Sequence, residues 1–209
     1  MWNTSSKKTD SPLKIGITGG IGSGKSVVCA LFSLLGIPVF EADQVAKKLM
    51  NSDSGLRREL VDLFGEAVYT AEGVIDRKRL AGILFNDQLA LQKVNSLVHP
   101  AVREAFLQWC AEQTSPYVLH EAAILFESGF FRMMDRNILV TAPEALRIRR
   151  VTARDGVSAE AVQQRMQNQW SDEEKIPLAD FIISNDDTRA IIPQVLDIDK
   201  QIREYGKIC

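Results

Sequence analysis

Histidine, cysteine and long apolar runs are what this 209-residue chain has least of. It carries 2 histidines and 3 cysteines, and Cys29, Cys110 and Cys209 are widely spaced and odd in number. That excludes a disulfide framework and leaves no zinc-ligand spacing. A reducing cytoplasm is the compartment that fits, with the usual role of a lone cysteine being a small buried hydrophobe. No stretch reaches the roughly 18–20 apolar residues of a membrane helix. The richest run, Val27 to Ile37, is broken by Ser33 and Gly36. Charge of one sign is missing too. There are 25 basic and 27 acidic residues, a formal net charge of -2, so the chain as a whole is no polycation for nucleic acid. Met1 to Pro12 is polar and has no apolar core, so residues 1–12 are expected to be a disordered tail and not a secretory leader.

What is present is ordinary for a globular protein: 45% apolar and 25% charged residues. The length fits one domain or one domain with appendages. Along the chain, β-branched runs alternate with helical stretches. Leu13–Thr18, Ile37–Phe40, Tyr117–Glu121, Asn137–Thr141 and Phe181–Asn185 read as strands. A helix from about Lys25 to Leu35 is stopped by Gly36. Another runs from about Thr188 to Tyr205 with Ile191, Val195, Ile198 and Ile202 on one stripe. Continuous apolar strands separated by helices predict a doubly wound α/β core around a parallel sheet of about five strands.

Two segments exceed ordinary crossovers. About 75 residues separate the second and third strands and are mostly helical in pattern. Leu80, Ile83 and Leu84 share a face there; Leu91, Val94, Leu97 and Val98 share another, continued after His99-Pro100 by Val102, Ala105, Phe106 and Trp109. Glu144 to Pro177 is helical and dense in arginine: Arg147, Arg149, Arg150, Arg154 and Arg165. The expected division is a nucleotide-binding core of 13–43, 114–143 and 179–209, a helical insertion of 44–113, and a lid of 144–178.

The chemistry sits in Gly19-Gly20-Ile21-Gly22-Ser23-Gly24-Lys25-Ser26, a full G-x-x-x-x-G-K-[ST] between a strand and a helix. Glycines allow backbone N–H groups to turn inward around a phosphate, and the helix adds its N-terminal donors and dipole. Gly20, Ile21, Gly22, Ser23, Gly24, Lys25 and Ser26 are therefore the nucleotide-binding residues. Lys25 supplies a charge between the β- and γ-phosphates, and Ser26 offers its hydroxyl to Mg²⁺.

Acids at strand ends come next, because ligands of open α/β sheets lie beyond the carboxyl ends of strands. Asp43 follows the second strand. It reads either as a general base and metal-site acid or as the N-cap of the helix Gln44–Met50. Glu121 ends the third strand, either reaching Mg²⁺ through water or as a satisfied strand-end acid. The arginines fit a solvated helix face, or, for Arg150 and Arg154 at i and i+4, a pair closing over a triphosphate. His99 reads as a structural hydrogen-bonding group or as part of a site.

A nucleotide switch or sensor, non-catalytic or slow, is the alternative class. It would be expected to carry a guanine-reading N-K-x-D, and Ser184-Asn185-Asp186-Asp187 lacks the lysine. Asp62 and Gly65 have D-x-x-G spacing but sit in a helical stretch. A kinase consumes ATP fast only with its acceptor; a switch hydrolyses slowly and unaided.

Ile15 through Ser26, Glu41-Ala42-Asp43, Val94-Asn95 to His99-Pro100 and Ile124-Leu125-Phe126-Glu127 together resemble the dephospho-CoA kinase family. So do Arg150 through Gly156, Arg165 to Gln169, Ala179-Asp180 and Asn185, and the resemblance spans Leu13 to Tyr205. It implies ATP- and Mg²⁺-dependent phosphorylation of the ribose 3′-hydroxyl of dephospho-CoA, giving CoA and ADP, in the last step of CoA biosynthesis. It implies a P-loop core with a helical CoA-binding domain and a lid. Catalytic roles fall on Asp43, Lys25 and Arg154, and a metal site on Ser26 and Asp43. Arg150 is placed at the phosphates and Asn185 near the adenine. Thr18, Arg77, His99 and Glu121 are placed with the acceptor. A cytoplasmic monomer or weak homo-oligomer is expected, with no nucleic acid or membrane partner. The chain departs from the family's frequent Asp-Ala-Asp at Glu41-Ala42-Asp43, and from its Asp-x-Pro at Glu121-Ala122-Ala123. His120 before Glu121 is a further titratable group without an assigned role.

Overall fold

The computed structural model describes residues 11–206. Cys209 and all but the last two residues of the expected 1–12 tail lie outside them. The described chain divides into two compact units, one built from residues up to Phe40 and from Cys110 onward, the other from Glu41–Trp109.

In the first unit, five strands form one sheet in the order β2-β3-β1-β4-β5. They are β1 (Leu13–Thr18), β2 (Val39–Glu41), β3 (Tyr117–Glu121), β4 (Arg136–Thr141) and β5 (Phe181–Ser184). β1 runs parallel to both β3 and β4, with Ile15 opposite Leu119 and Ile17 opposite Ile138. β4 runs parallel to β5. The central strands are apolar at successive positions because the sheet is covered on both faces. On one face Ile15, Ile17, Leu119, Ile138, Val140 and Ile183 pack with Val28 and Phe32 of α1 (Lys25–Leu34) and Val195, Ile198 and Ile202 of α9 (Ile191–Tyr205). The other face carries His120, whose ring stacks between Phe40 (5.5 Å) and Phe130 (5.0 Å). That unassigned histidine is thus core: it is 1% exposed, and burial lowers its pKa to about 4.

The second strand and the last helix both start later than the sequence reading places them. The second strand begins at Val39, not Ile37, although the Pro38 carbonyl already accepts from the Leu119 N–H. Proline has no N–H to add to a ladder. The last helix starts at Ile191, not near Thr188. The Asp186 carboxylate accepts from the N–H groups of Thr188 and Arg189, and Asp187 is held at φ 64°. An Asx turn of this kind competes with helix initiation.

The arginine-rich segment belongs to this same unit. It forms α6 (Glu144–Asp155), α7 (Ala159–Met166) and the short α8 (Asp172–Lys175). α8 opens with a reciprocal capping box between Ser171 and Glu174. Lys175 is fully buried and its Nζ lies 2.9 Å from Glu127 Oε1, which also accepts from the Trp170 N–H.

The second unit is helical: α2 (Ala42–Ser52), α3 (Ser54–Phe64), α4 (Arg77–Asn86) and most of α5 (Gln88–Ala111). Asp53 caps α3 and Asp76 caps α4 with side-chain acceptors. α5 passes through Pro100 without ending. Val94, Val98, Val102 and Phe106 bury one stripe at successive i+4 positions. That packing holds the helix across a residue that alone would disfavour it.

Candidate active site

β1 ends at Thr18 and α1 starts at Lys25, so the six residues Gly19–Gly24 loop between a buried strand and a helix N-terminus, and Lys25 and Ser26 of the motif open the helix. Gly22 and Gly24 lie at φ 79° and 91°, in the left-handed region that glycine tolerates. Gly24, Lys25 and Ser26 head α1, where N–H groups have no intrahelical acceptor and attract an anion. Ser26 is exposed in the first turn. Ser23 is buried, and its N–H donates to the Gly20 carbonyl at 3.0 Å.

Side chains from distant elements frame this loop. Lys25 forms an ion pair with Glu121, the last residue of β3; each side chain is 12% exposed. The Asn185 amide, just beyond β5, donates to the Ser23 carbonyl at 2.7 Å. A Cβ on Gly24 would lie 2.1 Å from that amide nitrogen, so glycine there serves close packing as well as torsion. Asn185 also accepts from Arg150, through its carbonyl and its Oδ1, both at 3.1 Å. Arg150 reaches Asp187 at 2.6 Å as well. Thr18 is fully buried, and its hydroxyl donates to the Ala123 carbonyl at 3.4 Å.

The sequence-predicted residues therefore fall into groups. Lys25 and Glu121 meet directly, and Ser23, Asn185 and Arg150 form one chain of hydrogen bonds. Asn185 is a support of the loop backbone. The N–H of Ile21 is directed to Gln169 Oε1 at 2.9 Å, so it is not one of the loop's inward donors. Arg154 is not brought to the loop: its guanidinium takes both oxygens of Asp155, which holds its pKa up, and it is 65% exposed.

Asp43, Arg77 and His99 lie in the helical unit. α2 begins at Ala42, with Glu41 at the N-cap position, so Asp43 is an exposed residue of the first turn, and the N-cap alternative of its two readings does not hold. Its charge favours the helix N-terminus from there. Arg77 is exposed at the first position of α4. His99 is half-buried in α5, and burial together with the Arg103 guanidinium lowers its pKa.

Arg147 and Gln169, which touch the loop, were not singled out as site residues in the sequence. One signal was available for Arg147. It stands four residues before Val151, on the face of α6 that is buried. An arginine on the apolar side of a helix has a reason to be there.

The donor set can be tested against Mg²⁺. Ser26 presents an exposed hydroxyl at the head of α1, and Glu121 a carboxylate at a strand end. Hard oxygen donors of this kind suit Mg²⁺, which retains several waters and takes phosphate oxygens in such sites. Among the described residues no cluster of three acidic, histidine or cysteine side chains is present, and a phosphate-bridged Mg²⁺ requires none.

A glycine-rich loop heading a helix at the carboxyl end of a parallel sheet defines a phosphate-loop nucleotide-binding protein. The chain belongs to the dephospho-CoA kinase family: the family model described as CoaE, dephospho-CoA kinase, matches residues 13–190. A dephospho-CoA kinase of Bacteroides fragilis is 43% identical over 187 residues, covering 89% of this chain and 91% of the relative. One from Chlorobaculum tepidum is 44% identical, covering 87% and 90%. Among solved structures, a Thermus thermophilus protein aligns at a TM-score of 0.79 with 35% identity, over 91% of this chain and 96% of that one. Campylobacter jejuni dephospho-CoA kinase aligns at 0.67 with 27% identity, over 92% and 98%. An Acinetobacter baumannii shikimate kinase, at 15% identity and a TM-score of 0.54, shares the fold.

Proposed function

We propose that this chain transfers the γ-phosphoryl group of ATP to the 3′-hydroxyl of dephospho-CoA, releasing CoA and ADP, with Asp43, Lys25 and Ser26 at the reacting groups. The observation that carries the reading is the loop itself, with Lys25 at the head of α1 in a chain of this family. The loop donors and Lys25 hold the triphosphate, and Lys25 must exchange Glu121 for the phosphates as nucleotide binds. Ser26 is the residue that would hold Mg²⁺, with Asp43 and Glu121 acting through water. When bound, the ion neutralises charge on the phosphate oxygens.

Asp43 accepts the hydroxyl proton as the new oxygen–phosphorus bond forms and the bond to the ADP oxygen breaks. The transfer is loose and demands little of a base, so its main contribution is orienting the hydroxyl. Lys25 stabilises charge on the transferring group. Arg154 would join it only by leaving Asp155. Arg77 and His99 are proposed to support the acceptor from the helical unit. No helix among the described residues is long and apolar enough to cross a membrane, and a cytoplasmic site of action is proposed.

Product analysis tests the reaction. Equal amounts of ADP and CoA should form from ATP and dephospho-CoA, with the new phosphate on the 3′ position. Phosphate on any other position, or ADP without CoA, would overturn the reading.

A further inference from the structure

Ile21 of the phosphate loop is held on both of its backbone polar groups by side chains of the arginine-rich segment. Gln169 Oε1 accepts from its N–H at 2.9 Å, and Arg147 Nε donates to its carbonyl at 2.9 Å. Gln169 is anchored in turn, its amide donating at 3.4 Å to the same Ala123 carbonyl that Thr18 uses. Arg147 is 8% exposed and its Nη1 lies 3.6 Å from Asp172. Its guanidinium fills the space beside Gly20. A Cβ there would fall 2.1 Å from Nη2 and 2.6 Å from the guanidinium carbon. Gly20 is not among the loop's left-handed glycines. What requires glycine at that position is the volume taken by Arg147.

A phosphate cradle works by having its donors fixed before the anion arrives, since ordering them on binding costs affinity. Glycines that let the loop adopt its shape also leave it free to lose that shape. Two side chains pinning one residue from both sides remove that freedom. We infer that Arg147 and Gln169 are positioning residues that set the backbone of the phosphate loop for nucleotide through Ile21, and that Gly20 is glycine to admit Arg147. This rests on the nucleotide-binding part of the function proposed above. It is independent of which acceptor is used.

The test is a cycle of Gly20→Ala, Arg147→Ala and the double variant, read by Mg-ADP affinity in calorimetry and by KM for each substrate. Gly20→Ala pushes the guanidinium off Ile21, so it creates the same lesion as Arg147→Ala. Each single variant is expected to weaken ADP about tenfold, the scale of losing a charge-assisted hydrogen bond. The double variant is expected to weaken it about tenfold as well, the non-additivity of two changes in one contact. KM for dephospho-CoA should stay within about twofold of the parent, because the lesion lies at the nucleotide. A double variant about a hundredfold weaker, the product of independent effects, would overturn the inference. So would Arg147→Ala binding ADP as the parent does. If the single variants fail to fold, Gln169→Met decides. Weaker ADP binding with the parent's urea midpoint supports the inference, and parental ADP affinity overturns it. A parent that binds ADP but turns over no dephospho-CoA would refute the proposed reaction and leave this inference standing.

Discussion

Lys25 of the phosphate loop and Glu121 at the end of β3 form an ion pair with both side chains nearly buried. The lysine that the loop presents to a triphosphate is thus held by a carboxylate, and nucleotide must displace that carboxylate. Glu121→Gln should tighten binding of Mg²⁺-free ADP by at least about fivefold, since a partly buried charge-assisted bond no longer has to be broken. Calorimetry without Mg²⁺ checks this. Weaker binding would mean that Glu121 orients Lys25 and does not compete for it. Lys25→Ala should damage both kcat and nucleotide affinity.

Asp43 is free of the capping role that its sequence position allowed, because α2 starts at Ala42, two residues before Gln44. Asp43→Asn is expected to lower kcat roughly 10²-fold or more with little change in ATP affinity. Steady-state kinetics with dephospho-CoA, beside an ATP titration, separates the two. A near-normal kcat would remove Asp43 from the reaction.

Asn185 ties the Ser23 carbonyl to Arg150. Asn185→Ala leaves that buried carbonyl without its partner and should cost about 1–3 kcal/mol of stability. For a chain of this size that is a fall in Tm of roughly 2–4 °C per kcal/mol. Calorimetric melting is the measurement. An unchanged Tm would show that the loop keeps its backbone without Asn185.

The interior pair of Lys175 and Glu127 makes a separate stability prediction. Lys175→Met alone strands a carboxylate under α8 and should destabilise by about 3–5 kcal/mol, whereas Lys175→Met with Glu127→Leu should recover much of that loss. Urea denaturation of both variants distinguishes a buried pair from a dispensable one.

His120 gives the fold a pH dependence. Between Phe40 and Phe130 its pKa is lowered by burial to about 4, against 6.5 for a free histidine. The unfolded chain therefore takes up a proton that the native chain refuses. Stability is complete above pH 6.5 and falls as pH drops towards 4, by up to about 3 kcal/mol for this group. Urea midpoints measured across that interval should fall, and His120→Phe should flatten the slope. A parent and variant with equal slopes would show that His120 charges freely in the fold.

The strands, the loop and the helical insertion were legible because their signals are local: β-branched runs, a contiguous glycine motif, apolar residues at helical spacing. The errors also have local causes. Pro38 shortened β2, and the Asx turn at Asp186 delayed α9. What the sequence concealed was contact between distant segments. Nothing near Asn185 says that it reaches Ser23, and nothing near Gln169 says that it takes the Ile21 N–H. Arg150 and Arg154 share a helix face as the spacing required, yet one engages Asn185 and Asp187 and the other Asp155. Periodicity fixes a face and leaves the partner to the tertiary fold.

ADP release from Mg-ATP, measured with and without dephospho-CoA and with adenosine and pantetheine phosphate as control acceptors, tests the central claim most directly. Strong stimulation by dephospho-CoA alone, with CoA as the product, is the predicted result. The same slow release whatever acceptor is supplied would contradict it and would favour a nucleotide switch or sensor.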